Sequence, residues 1–321
     1  MATIARTTGL ADGEARRLRS SARRLGRGVY AVGKDRGDLE RLATRARAAL
    51  SVSPPGSLVC GVSALTLAGV RLPNQVAALA IGPIHVAVPR ESGRCSRRPE
   101  IAVARPRTLP PPAPTRPQGI AVAHLAHCWV QVAEELMRGP GWDFAQKDRV
   151  PTSPGVFTEP RKAAFLASVQ IGDRLLARHD PLMTHEDFAA YIDNLTNMRG
   201  VRLARSVSKF VRAGTDSTME SWLRLVVWDA GFPDPVVNLR VIAAGRTRFL
   251  DLAWPDLKID LEFHGRQHFH DWEQAYGDVQ RRGQLQMEGW VTVEATEEQL
   301  ISPGKLLQRL GAVFAAGRKA Q

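Results

Sequence analysis

Between Phe249 and His268 the chain gathers carboxylates, imidazoles and a carboxamide at spacings suited to metal-assisted chemistry. Two strand-forming runs, Thr247 to Trp254 and Leu257 to His264, flank a Pro255-Asp256 turn signal. Alternation puts Ile259, Leu261 and Phe263 on one face of the second run, and Lys258, Asp260, Glu262 and His264 on the other. With the turn centred on Pro255 and Asp256, Asp251 is expected opposite Asp260 and diagonal to Glu262 on that same face, about 7–8 Å away between backbone positions. Like charges so placed repel, and a divalent cation that prefers carboxylate oxygens, Mg2+ or Mn2+, removes the conflict. A solvated sheet face is the plainer account of the same pattern. Against it, Gly265, Arg266, Gln267 and His268 follow at once. They supply a tight turn with hydrogen-bonding and proton-transfer groups that a solvent face does not need. Zinc suits the region less well, because His264, His268 and His270 lack a usual ligand spacing and Cys60, Cys95 and Cys128 lie far off in sequence.

The elements that must hold these residues are legible on either side. Ser217 to Glu220, followed by Trp222, Leu223, Leu225, Val226 and Val227, reads as a helix closed by Gly231 and Pro233. Ser217 and Glu220 have capping-box spacing, so Glu220 serves either the helix end or the acidic cluster, or both. Downstream, Asp271 is placed to cap a helix running through Tyr276, Val279 and Leu285 to Gly289, with Asp278, Arg281 and Arg282 on its polar side. Arg281 and Arg282 read as solvated or ion-paired groups that are also able to touch phosphate. Trp290 to Val293 reads as a strand, and Thr296 to Glu298 opens a last helix.

Asp251, a short hairpin, then Leu261, Glu262, Phe263, His264, Gly265, Arg266, Gln267 and His268, in that order, resemble the restriction-endonuclease-like PD-(D/E)XK nucleases. Within them the pattern looks like the very-short-patch-repair (Vsr-like) branch, over roughly residues 215 to 302. The resemblance implies an α/β fold, with a central mixed sheet flanked by helices in the order helix, strand, hairpin, helix, strand, helix. It also implies a metal-dependent DNA endonuclease in which Asp251, Glu262 and Glu220 hold Mg2+ or Mn2+. His264 or His268 then positions or deprotonates water, with Gln267 beside them. The pattern departs from the family at His264, where most members carry a lysine and many close relatives an aspartate. Histidine titrates near neutrality and lacks the permanent charge of lysine. Lys258 lies about 13 Å along the strand, too far to take its place.

The remainder of the 321 residues has the composition of a globular protein large enough for two or three cores. Its divisions read as a basic region over 1–105, a proline-rich strap over 106–120, a helical connector over 121–212 and the nuclease-like domain over 213–321. No apolar run reaches the ~18 residues of a membrane span, the start lacks a secretory block, and three scattered cysteines give no disulfide framework. A cytoplasmic protein without membrane association is therefore expected. The net charge of +12 is unevenly spread. Residues 1–50 hold 12 Lys+Arg against 5 Asp+Glu, residues 51–210 hold 19 against 12, and residues 211–321 hold 13 against 15. Basic charge thus lies ahead of the acidic site, as in a protein whose front part holds DNA. Asp12 to Arg24 is read as one helix carrying Arg16, Arg17, Arg19, Arg23 and Arg24, followed by Arg27 and a strand to Val32. That order suits a winged helix. Arg27 to Val32, with Gly61 to Leu65 and Gly69, resembles the antitoxin-like module of the AbiEi type that often precedes such a nuclease domain. An arginine-rich helix is also compatible with a merely solvated face. His124, His127 and Cys128 sit in apolar surroundings and are read as core. Two functions follow: an endonuclease, or a DNA-binding repressor whose nuclease fold no longer cuts. Cutting both strands with one site per chain favours a homodimer.

Overall fold

The computed structural model describes residues 2–93, 97–138, 160–265 and 272–319. By its internal contacts the chain divides into two units, Met1–Leu136 with Asp187–Arg205, and Met137–Glu186 with Ser206–Gln321.

The first unit opens with strand β1 (Thr3–Arg6), helix α1 (Asp12–Ser21) and a hairpin of β2 (Arg23–Gly26) and β3 (Val29–Val32). These three strands form an antiparallel sheet in the order β1-β3-β2. The hairpin loop is Arg27 and Gly28, and Gly28 supplies the positive φ of 73° that a two-residue turn requires. Helix α1 stops at Ser21 because Ala22 is extended and the next residues pair with β3, Arg23 with Ala31 and Arg24 with Tyr30. Arg23 and Arg24 therefore belong to a strand, where the sequence alone had extended the helix. Helix α2 (Asp38–Ser51) packs a mostly alanine face inward. Strands β4 (Leu58–Val59), β5 (Ile84–Ala87) and β6 (Ile101–Ala104) make a second small sheet, with α3 (Gly61–Leu67) and α4 (Asn74–Ala77) between β4 and β5. The proline-rich stretch lies extended against residues 120–124, with Ala113 N–H donating to Val122 O at 2.9 Å and His124 N–H to Pro111 O at 2.8 Å.

Helices α5 (Leu125–Met137), α6 (Pro160–Leu175), α7 (His185–Asn194) and α8 (Val201–Ser208) follow. Tyr191 of α7 stacks on His124 and meets His127 Nδ1 at 3.2 Å, while Cys60 and Cys128 are buried free thiols. These imidazoles pack within the first unit. Among the described residues no helix is long and apolar enough to cross a membrane.

The second unit places helix α9 (Thr218–Asp229) before the hairpin of β7 (Val236–Ala243) and β8 (Arg246–Trp254). Strand β9 (Ile259–Phe263), helix α10 (Trp272–Met287), strand β10 (Val291–Ala295) and helices α11 (Glu297–Ile301) and α12 (Gly304–Lys319) complete it. Ala244 and Gly245, both at positive φ, turn β7 into β8. The sheet runs β10-β9-β8-β7, and only the β9–β10 pair, joined through α10, is parallel. The protein is thus a mixed α/β chain with mixed sheets.

Between β8 and β9 the register differs from the sequence expectation by two residues. Pro255–Leu257 forms a 3-10 turn, and Lys258 closes it in the left-handed conformation at φ 49°. The turn therefore takes up more chain than a Pro-Asp centre allows. Ala253 pairs with Asp260 and Leu252 with Leu261, so Asp251 falls level with Glu262 instead of opposite Asp260. A shift of two preserves the side-chain alternation, and Asp251, Asp260 and Glu262 keep a common face. Lys258 leaves that face altogether, and its Nζ donates to Glu288 O at 2.6 Å.

Candidate active site

Glu220 is set by the start of α9. Ser217 caps the helix by accepting from Glu220 N–H at 3.2 Å, and the Glu220 carboxylate reaches back to accept from Asp216 N–H at 2.9 Å. Asn238 Nδ2, on β7, donates to the same Oε2 at 3.2 Å and to Gly214 O at 2.6 Å. The capping role of Glu220 is real, and its carboxylate at the same time enters the electrostatic neighbourhood of Asp251. The helix cannot shift easily beneath it. Arg224 makes a fully buried pair with Asp173 of α6 at 2.8 Å, and Lys162 of α6 binds both oxygens of Asp229 at 2.7 Å.

The β8–β9 pairing ends at Leu252 and Leu261. One step further the Asp251 carboxylate takes over, with Oδ2 accepting from Phe263 N–H at 3.0 Å. A side chain thus satisfies a strand amide and is pinned beside Glu262. On the other flank β10 pairs in parallel, bringing Thr292 level with Asp260 and donating Oγ1–H to Asp260 Oδ2 at 3.1 Å. Asp260 is fully buried, and among the described residues its Oδ1 meets no donor. Arg281 of α10 grips Glu262 with both arms, Nη1 to Oε2 at 3.1 Å and Nη2 to Oε1, and Nη2 also donates to Phe249 O at 2.7 Å. At the edge, Arg178 forks onto Asp216 and lies 4.0 Å over the Phe249 ring.

Burial is the largest influence on every carboxyl in this group. It pushes Glu220 up to about 7, with the Asp251 charge adding to it. Asp251 is raised by burial, and the Phe263 amide and the Arg281 charge oppose that rise. Asp260 is raised by burial and then by the charge of Glu262, while Glu262 is raised by burial against the pull of Arg281. Burial and the neighbouring Glu262 charge leave Asp260 holding the proton of the pair. Desolvated carboxylates that repel one another and leave a buried oxygen without a donor suit an oxygen-seeking divalent ion. Among the described residues, however, no three His, Cys, Asp or Glu side chains already form a metal-holding group. Glu262 is committed to Arg281 and Glu220 to amide donors.

Glu220, Asp251 and Glu262, expected together from sequence, are brought into one electrostatic cluster. His264 follows β9 directly, and its N–H donates to Ala295 O at 2.8 Å, extending the pairing with β10. Gln267 and His268 lie outside the described residues. Arg16, Arg17, Arg19, Arg23, Arg24 and Arg27 are exposed in the first unit, and Arg23 binds Asp35 at 2.5 Å. The sequence placed Asp260 in the acidic group and left Arg281 solvated, ion-paired or near phosphate, but it gave no role to Asn238 and no link between Arg281 and Glu262. Strand alternation had already put Asp260 on the right face, but its burial depends on β10. Arg281 is 19 positions from Glu262, and nothing local links them.

No family model and no solved structure matches the chain. It is similar to two uncharacterized proteins of Mycobacterium tuberculosis, from strain CDC 1551 / Oshkosh and strain H37Rv, at 29% identity over 124 residues in each case. The match takes in 38% of this chain and 46% of each relative, so less than half of either relative's length is represented.

Proposed function

We propose that the second unit is a metal-dependent DNA endonuclease of the PD-(D/E)XK type, Vsr-like, and that the first unit helps to hold the DNA. The observation that carries this reading is the meeting of half-buried Asp251 and buried Glu262 at one level of adjacent strands, with Glu220 feeling the Asp251 charge from the neighbouring helix. Asp251 and Glu262 would hold Mg2+ or Mn2+, with Glu220 completing the set. The bound ion would polarise the scissile phosphate and stabilise the leaving oxygen. Asp251 is kept in place by the Phe263 amide, so its free oxygen stays oriented. Glu220, raised to about 7 by burial, would give up its proton on joining the ion, so an incoming water is left to other groups. His264, at the mouth of β9, and His268 are the groups proposed to position that water.

A second reading has its own support. Arg281 supplies Glu262 with a positive charge from within the chain, as expected if the fold has become a DNA-binding repressor that no longer cuts.

Purified protein incubated with double-stranded, single-stranded and mismatched DNA tests the two readings. With Mg2+ or Mn2+ the expected outcome is cleavage, abolished by chelator and reduced by about 10²-fold or more in Glu262→Ala. Cleavage that survives chelator or this substitution defeats the proposed chemistry. Tight, salt-sensitive binding to duplex without cutting establishes the repressor reading instead.

A further inference from the structure

Arg281 occupies both oxygens of Glu262, the carboxylate that the endonuclease reading assigns to the metal. We propose that Arg281 is an internal counter-ion that exchanges with the divalent cation, and that once released it clamps a phosphate of the DNA. The inference rests on the endonuclease reading and adds a role for a residue outside the acidic set. Each Glu262 oxygen keeps a second lone pair, but the guanidinium spans both oxygens of the carboxylate, and two cations drawn to one carboxylate repel each other. Metal binding and the Arg281–Glu262 pair are therefore competitive. Beside Glu262, Asp260 has a fully buried oxygen that meets no donor among the described residues.

The released side chain has somewhere to go. Its Nη2 is also bonded to Phe249 O, and about a quarter of the side chain is already exposed, against 11% for Glu262. Losing Glu262 frees two parallel N–H donors at the rim of the site, a geometry that matches two oxygens of a phosphate. Arg178, paired with Asp216, stacks on the ring of the same Phe249 at that rim. Arg281 thus serves Glu262 as counter-ion in one state and contacts the substrate phosphate in the other.

Mn2+ binding to the full chain, followed by calorimetry and by loss of the free-ion paramagnetic signal, separates this role from a structural one. Arg281→Gln should bind Mn2+ about tenfold more tightly than wild type, because the competing charge is gone. The same variant should cleave DNA at least about tenfold more slowly at saturating Mn2+, because a phosphate contact is gone. Arg281→Lys keeps the charge and loses the fork, so its Mn2+ affinity should stay near wild type. Its lower cleavage then reports the clamp even if Arg281→Gln fails to fold. Unchanged or weaker Mn2+ binding by a folded Arg281→Gln overturns the exchange while leaving the endonuclease reading intact. Absence of Mn2+ binding by wild type and both variants overturns the metal site, and the exchange with it.

Discussion

Glu220 shows how one side chain can serve a helix end and a reactive cluster together. Its oxygen satisfies the Asp216 amide while its charge, being buried, feels Asp251. The folded protein holds the Glu220 proton up to about pH 7, against 4.5 for the free side chain, so the folded state binds that proton more tightly than the unfolded chain does. The stability contributed by this group is therefore complete below about pH 4.5, falls as pH rises towards 7, and is lost above. Glu220→Gln retains an oxygen for the Asp216 amide and removes the charge. Near pH 8 it should be more stable than wild type by on the order of 1–3 kcal/mol, with the gap closing towards pH 4.5. Thermal melts across that range check the sign, and a difference independent of pH would show that charge is not its cause. Divalent metal should narrow the same gap near pH 8 if Glu220 joins its ligands, since the ion favours the charged form.

At the scale of elements, the site depends on how α9 is fixed relative to the sheet. Eight consecutive residues of α9, Glu220 to Val227, are buried. Its register against α6 is set by two ion pairs, mid-helix Arg224 with Asp173 and C-terminal Asp229 with Lys162. Asp173 also accepts from Arg212 N–H at 2.7 Å, so it is shared by two partners. Arg224→Ala would leave that carboxylate buried with a single remaining donor. It should cost about 3–5 kcal/mol, measured by denaturant unfolding. Replacing both partners by leucine should cost less than the single change, because no charge is stranded. A single substitution cheaper than the double one would mean that the pair is not what holds α9.

At the scale of the molecule, charge is divided between the parts of the chain. The first 50 residues carry a net +7 and residues 211–321 a net −2. If the first unit holds DNA, its exposed arginines should act through phosphates and not through sequence. Replacing Arg16, Arg19 and Arg27 by alanine together should weaken duplex binding about equally for all sequences. Each should also lower the slope of log affinity against log salt by roughly 1. Fluorescence anisotropy titrations over a salt series measure both quantities. An unchanged slope would assign these arginines to a solvated face. The same titrations with chelator separate binding by the basic unit from events at the acidic site.

Local chemistry determined much of this protein by itself. Alternation in β9 dictates that Asp260 and Glu262 share a face, and the capping signal at Ser217 dictates that Glu220 opens a helix. The segment order from α9 to α11 also follows from turn residues and apolar periodicity, because each of these depends on neighbours a few positions away. Tertiary structure decided the rest. The 3-10 turn at Pro255–Leu257, closed by a left-handed Lys258, moved Asp251 level with Glu262, which no parity argument distinguishes from a slip of two. The pairing of β2 with β3 took Arg23 and Arg24 from the helix, since a sheet partner outweighs helix propensity. Above all, the burial that raises the carboxyls and the arrival of Arg281 at Glu262 are long-range events. A sequence shows which groups carry charge, but which of them are desolvated together is set only when distant elements close over them.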